Sequence, residues 1–354
     1  MKKFFLLAAA AVMVFASCSK NDQPEVSQDK SISFKSYAGR SVTKAGESFI
    51  PKGQTYLNSG DSFGVYAYNT GATAFAGSVE NAKAFMTNQE VTFNGASADD
   101  AVDYEKYTYS PKKYWPNDEA NNLLTFWAYY PYNALKAGFG AANAFEAKTN
   151  PEEMVDLLVA DVNEDMTYTK AKGQGNVGIV PFTFHHALTM VKFVVKVASE
   201  EGSDVVLPEI KLNSMKITGA TATGQITTSW ASGATTFEWT PGDDATEFVL
   251  CKTPTALSTD DMYFPVNDAI KASFLMIPQD LEGVKAVIEY EVANGDDDPV
   301  VNKVEVELAT DAVDEWVMNK NIKYTFTIGL KPIEFTAVVD TWEDEVPVTI
   351  SITD

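Results

Sequence analysis

FTFHHALTMVKFVVKV, Phe182 to Val197, alternates large apolar side chains with small or polar ones and is rich in Phe and Val. Successive residues of an extended chain point to opposite faces, so such a stretch fits a pleated surface with one buried side. It reads as an aromatic strand that starts the second hydrophobic core of the chain. Just before it, KGQGNVGIVP carries three glycines and a proline. Those residues punctuate the chain and mark a boundary near 173–181.

The same period recurs in both directions from this stretch. SISFK (31–35), FGVYAY (63–68), VTFN (91–94) and LTFWAYY (124–130) precede it, and AVIEYEV (286–292), NKVEVEL (302–308) and KYTFTIGL (323–330) follow. Turn signals separate them, among them Asn58-Ser59-Gly60-Asp61, Asn69-Thr70-Gly71, Asn94-Gly95 and Asn294-Gly295-Asp296. The last stands between two alternating runs, as a hairpin requires. Helical signals are few; Pro151 to Leu158 opens at most a short helix or turn. The pattern predicts an all-β chain of two antiparallel β-sandwiches, one over 41–178 and one over 179–354.

The first residues have another purpose. Lys2 and Lys3, an apolar run from Phe4 to Phe15, then Ala16 and Ser17 have the anatomy of an export signal over 1–17. The run is shorter than the roughly 20 apolar residues that span a bilayer. Ala-Ser-Cys at its end resembles a lipobox, which makes Cys18 the expected lipidation site and Ser19 the residue after it. About 335 residues remain after such processing, enough for two cores. Cys251 is then the only thiol left, so no internal disulfide is expected.

The chain carries 49 acidic and 27 basic residues, a net charge of -22, and such a surface repels nucleic acid and anionic headgroups. Catalytic patterns do not assemble. His185 and His186 are the only histidines; they adjoin within a strand pattern and point to opposite faces, so a structural role is expected. Asp161-Val-Asn163-Glu-Asp165 begins like a calcium loop, but Met166 stands where glycine is needed and Lys172 where glutamate is needed. The acidic turn Asp296-Asp297-Asp298 reads as solvated surface. No carboxylate pair is singled out for glycoside hydrolysis. An enzyme is not expected, nor is a metal or cofactor.

Two features point elsewhere. Arg40 is the only arginine in the chain and lies in SYAGRSVTKAG, a small-residue junction open to cleavage. An arginine-specific protease would cut only between Arg40 and Ser41, releasing a segment 18–40. That segment contains the alternating SISFK, with Ile32 and Phe34 on one face. Near the other end, Val346, Val348, Ile350 and Ile352 also share a face. Burying four such side chains is worth about 6 to 12 kcal/mol before ordering costs. Excision of Ile32 and Phe34 would bare a groove with the pattern that the 346–352 strand could fill.

In its full arrangement the chain resembles the fimbrillins, the type V pilus subunits and Mfa-like surface proteins of Gram-negative anaerobes. The resemblance is carried by the signal with Cys18, ISFKSYAGRSVTKAG, FGVYAY, the Tyr114–Pro116 YWP leading to LTFWAYYP, DLLVA at 156–160, FTFHHALTMVKFVVKV, and NKNIKYTFTIGL followed by Trp342. It implies two tandem transthyretin-like β-sandwich domains and a lipoprotein precursor anchored at the outer membrane surface. An arginine-specific maturation protease would remove the lipidated propeptide with its strand, and other pilus subunits, as a homopolymer, would be the partners. Which terminal strand donates stays open, as does a stalk against an anchor or tip role. A different class of function is a monomeric surface lipoprotein that stacks glycan on Trp115, Trp127, Trp230 or Trp239. These lie in strand-like runs, where core packing is their ordinary role.

Overall fold

The computed structural model describes residues 30–38, 57–172, 178–198, 209–265, 273–293, 295, 298–329 and 334–341. Strands dominate them. The first half holds β1 (Ile32–Ala38), β2 (Ser62–Gly71), β3 (Lys83–Phe93), β4 (Tyr107–Thr108), β5 (Leu123–Tyr130), β6 (Asn143–Glu146), β7 (Leu158–Ala160), β8 (Asn163–Met166) and β9 (Gly178–His186). Next come β10 (Thr189–Val197), β11 (Glu209–Thr218), β12 (Thr223–Ala231), β13 (Ala234–Pro241), β14 (Phe248–Cys251), β15 (Thr255–Ala256), β16 (Met262–Phe264) and β17 (Ser273–Met276). The last are β18 (Gln279–Asp280), β19 (Lys285–Ala293), β20 (Val300–Glu307), β21 (Glu315–Trp316), β22 (Lys320–Ile328) and β23 (Glu334–Thr341).

The all-β expectation holds, and the alternating stretches that fall among the described residues lie in strands. Pro151 starts only a 3-10 turn, Pro151–Glu153. Hairpins follow the turn chemistry. Between β12 and β13 the two loop residues Ser232 and Gly233 have φ of 53° and 85°, the left-handed pair that suits a tight antiparallel reversal. β19 and β20 pair antiparallel around Gly295.

Eight strands form the first sheet in the order β1-β9-β7-β5-β2-β3-β4, with β8 beside β5. Two five-stranded sheets follow: β16-β10-β22-β23 with β17 on β10, and β14-β11-β19-β20 with β15 on β11. A three-stranded sheet, β13-β12-β6, joins a strand of the first half to a hairpin of the second.

Three sequence expectations need correcting. FTFHHALTMVKFVVKV is two strands: β9 ends at His186 in the first sheet, and β10 begins at Thr189 in another. Between them Ala187 donates its N–H to the Leu157 carbonyl at 2.8 Å and is fully buried, so the chain changes sheets inside the protein. Second, the pairing is not uniformly antiparallel, because β1 runs parallel to β9 and β10 parallel to β22. Third, LTFWAYY is not half-buried. Leu124, Phe126 and Ala128 enter one core, while Trp127 and Tyr129 enter the other. β2 divides in the same way, with Phe63, Val65 and Ala67 on one side and Tyr66 on the other.

The smaller core thus lies within the first sheet, around Ile32, Phe34, Phe93, Phe126 and Phe182. The larger runs from the far face of that sheet into the second half, where Phe193, Tyr324, Leu212 and Ile288 bring the two five-stranded sheets together. Specific bonds cross between the halves. Trp239 Nε1 donates to the Ala187 carbonyl at 2.8 Å, the Val162 N–H donates to Thr235 Oγ1 at 2.9 Å, and the rings of Phe75 and Trp230 lie 5.1 Å apart.

Candidate functional site

The strand β1 brings Ile32 and Phe34 to the centre of the smaller core, where neither has measurable exposure. Phe34 packs against the rings of Tyr109, Phe182 and Phe126 at 5.3, 5.8 and 6.4 Å between centroids. Two such side chains contribute about 3 to 6 kcal/mol by burial alone. The opposite face of the strand is also covered, with Ser31 and Ser33 both buried. A strand enclosed on two faces needs small side chains on the tighter one, which is what the serines supply.

Along one edge β1 pairs with β9 from Ile32↔Gly178 to Ala38↔Phe184. Gly178 is required by space. A Cβ there would lie 2.0 Å from Trp115 Nε1, because the Trp115 ring closes over the start of both strands. The other edge meets the segment that contains β4. The Ile32 N–H donates to the Lys113 carbonyl and the Trp115 N–H donates to the Lys30 carbonyl, each at 2.9 Å. Tyr109 donates its hydroxyl to the Ile32 carbonyl at 2.7 Å. The Ser36 N–H donates to the Tyr107 hydroxyl at 3.3 Å, and the Ser36 hydroxyl lies 2.9 Å from the same oxygen. Two phenols therefore do for this edge what a neighbouring strand does elsewhere. Sequence reasoning missed both; the alternation of Tyr107 and Tyr109 in YTYSP was their only signal.

The other predicted residues fall in two groups. Cys18, Arg40, Ser41, Val346, Val348, Ile350 and Ile352 lie outside the described residues, as do Asp296 and Asp297. The histidines lie in β9 and brace the strand beside it. His186 Nδ1 is 2.6 Å from Asp156 Oδ2 in a buried pair, and His185 Nε2 is 3.0 Å from Asp161 Oδ2 near the surface. Asp156 and Asp161 flank β7, so consecutive histidines on opposite faces grip the two ends of one short strand. Burial pushes the Asp156 carboxyl up, and the adjacent His186 draws it back down. In β14, Cys251 is buried, and burial pushes its thiol up.

Of the tryptophans considered for glycan stacking, Trp115 and Trp127 are buried, and Trp230 and Trp239 are partly buried against the larger core. Among the described residues, the exposed large hydrophobics are Val102, Tyr114, Val155, Val300, Val301, Val317 and Val339. No tryptophan platform is presented there.

A comparison with curated protein sequences gives no match. Among the solved structures that are similar, two align over most of their length. A fimbrial protein from Bacteroides vulgatus aligns with a TM-score of 0.61 at 20% identity, covering 88% of this chain and 99% of its own. A candidate cell adhesion protein from Bacteroides uniformis aligns with a TM-score of 0.53 at 17% identity, covering 89% of this chain and 98% of its own. At these identities the likeness concerns the fold. The family model described as Fimbrillin-like matches residues 43–342, and on that match the chain belongs to the fimbrillin-like family.

Proposed function

We propose that this protein is a structural subunit of a cell-surface pilus that serves adhesion, and that it polymerises by exchanging β1 for a strand of another copy. The observation that carries the reading is the placement of β1. Its side chains complete the smaller core, yet in sequence it stands before the rest of that core, and the connection to β2 contains Arg40, the only arginine. Cutting the Arg40–Ser41 bond would leave β1 held by non-covalent contacts alone. Its departure would uncover the apolar site of Ile32 and Phe34 and one edge of β9.

In this reading Cys18 is the acylated residue that delivers the precursor to the outer membrane surface, and an arginine-specific protease performs the maturation. The segment 346–352, with Val346, Val348, Ile350 and Ile352 on one face, is the donor. A donor at one end and an acceptor slot elsewhere make a heterologous contact that does not close on itself, which yields a filament. Main-chain hydrogen bonds hold the donor and alternate side chains fill the pockets.

The test is the N-terminal residue of protein sheared from cells, read by mass spectrometry. Ser41 is the expected result. An acylated Cys18 with Arg40 intact in the assembled material would overturn maturation by cleavage. Truncation after Glu345 should give folded, cleaved monomers that form no polymer; normal polymers from that chain would remove 346–352 as donor.

A further inference from the structure

Beside β1 and β9 lies an open cleft of about 660 Å³ whose lining inverts the charge balance of the chain. The whole sequence has 49 acidic and 27 basic residues, yet the cleft is lined by Lys35, Lys170 and Lys172 against a single acid, Asp103. Two separate parts of the chain supply the lysines. Lys35 lies on β1, whereas Lys170 stands in the one-turn helix Tyr168–Ala171 and Lys172 directly follows it. Thr167 caps that helix, its Oγ1 accepting the Lys170 N–H at 3.1 Å. Lys170 Nζ donates to the Glu164 carbonyl at 2.7 Å, a contact that holds the ammonium without cancelling its charge. Among the described residues neither Lys170 nor Lys172 forms an ion pair. Asp103 is already engaged, its Oδ1 accepting the Glu105 N–H at 3.0 Å.

Beside the lysines the cleft offers a half-buried phenol ring, Tyr104, and aliphatic groups, among them Val102, which is 49% exposed, and Ile179. Its main chain is largely occupied. Lys35 pairs with Pro181 in the β1–β9 ladder, Pro181 has no N–H, and its carbonyl accepts from Asn163 Nδ2 at 2.9 Å. An extended peptide would therefore find no open ladder to join there. The cleft selects by side chains, through several ammonium groups together with a ring and aliphatic surface. Its volume falls within the range of about 300 to 1,000 Å³ that is usual for small-molecule sites.

We propose that this cleft binds a short acidic oligosaccharide, whose carboxylates or sulfate esters pair with Lys35, Lys170 and Lys172 while the carbon face of a sugar ring lies on Tyr104 and Val102. Ammonium groups are compact point charges that serve either anion, and a tyrosine ring presents an apolar body with a polar tip. The net charge of -22 opposes a long polyanion, which meets the whole surface. Screening at physiological salt acts over about 8 Å, so a short ligand inside the cleft answers to the lining instead. Binding does not depend on strand exchange, but the site belongs to the chain with β1 seated, because Lys35 is part of that strand. A ligand that spans Lys35 and Lys170 ties β1 to the body of the first sheet, and binding that form alone opposes its release.

The experiment titrates the full, uncut chain with tri-galacturonate, and in parallel with a sulfated trisaccharide, at about 0.15 M salt, read by saturation-transfer NMR. A dissociation constant on the order of 0.1 to 1 mM is expected for at least one of them, since exposed ion pairs are individually weak. The tighter ligand names the anion. Raising the salt to about 0.5 M should weaken binding severalfold. Lys170→Gln and Lys172→Gln should each weaken it about twofold to fivefold, and Tyr104→Ala by a similar factor, while Lys303→Gln on β20 should leave it unchanged. Maltotriose, neutral and equally long, should not compete. Failure of both acidic trisaccharides to bind, competition by maltotriose, or wild-type affinity in both lysine variants would overturn the proposal. A hexaglutamate peptide that binds as tightly, with Tyr104→Ala without effect, would assign the cleft to acidic peptide instead. The salt and maltotriose titrations need no variant, so a substitution that fails to fold leaves the outcome decidable. Polymer formation enters none of these readings, and the N-terminus of sheared protein tests that separately.

Discussion

β1 and β20 both end a sheet, β1 beside β9 and β20 beside β19, and both alternate in sequence. They manage their edges in different ways. β20 keeps Val304 and Val306 against the larger core and turns Lys303, Glu305 and Glu307 to solvent, with Lys285 reaching Glu305 and Glu307 at 3.6 and 3.0 Å. Charges on an edge strand discourage a further chain from pairing with it. β1 carries no such guard on its buried stretch; its protection is enclosure, by serines on one face, rings on the other, and tyrosine hydroxyls along the edge. A charged edge resists a new strand, whereas an enclosed one must be emptied first. In the exchange proposed above, β1 is the edge that cleavage would open.

Substitutions can break or sharpen that contrast. Phe34→Ala should destabilise the full chain by about 3 to 5 kcal/mol, while Val301→Ala on the exposed start of β20 should cost less than about 0.5 kcal/mol. Urea unfolding of both variants checks this, and equal costs would end the comparison. Gly178→Ala should follow at about 1 to 3 kcal/mol, since the new methyl must displace the Trp115 ring. A wild-type midpoint would mean that the ring can move freely. Replacing both Lys303 and Glu305 by Val should leave the unfolding midpoint nearly unchanged but cause concentration-dependent association, visible by light scattering. If the double variant stays monomeric, charge is not what guards β20. Smallest is Lys285→Ala, expected to shift neither the midpoint nor its salt dependence measurably, because these ion pairs are solvent-exposed.

Strand positions were largely legible, because period-two alternation is a local property and the alternating runs that fall among the described residues lie in strands. Where the reading failed, the missing information was non-local. Nothing in FTFHHALTMVKFVVKV tells that its two halves serve different sheets, since Ala187 and Leu188 continue the apolar pattern through the crossing. The strands β11 to β13 were not singled out, and β13, with its exposed alternate residues, offers little hydrophobic signal. The doubled burial of LTFWAYY was present in its composition, seven residues with no charge, but alternation alone does not say that both faces are covered. At the candidate site, Ile32 and Phe34 stood out as an apolar pair, whereas Tyr107 and Tyr109 did not. A tyrosine that reads another strand's backbone is indistinguishable in sequence from one that packs in a core.

By itself the sequence determined that this is an all-β chain, that one arginine stands between an alternating N-terminal strand and the rest, and that a similar alternation recurs near residue 350. Those are matters of residue type and spacing along the chain, which fix the faces of a strand before any partner is known. Only the tertiary structure decided that β1 lies parallel to β9, that Gly178 makes room for Trp115, and that two tyrosine hydroxyls finish its outer edge. Pairing direction, close approach and edge satisfaction depend on segments more than sixty residues apart, and such distant contacts leave no period in the sequence.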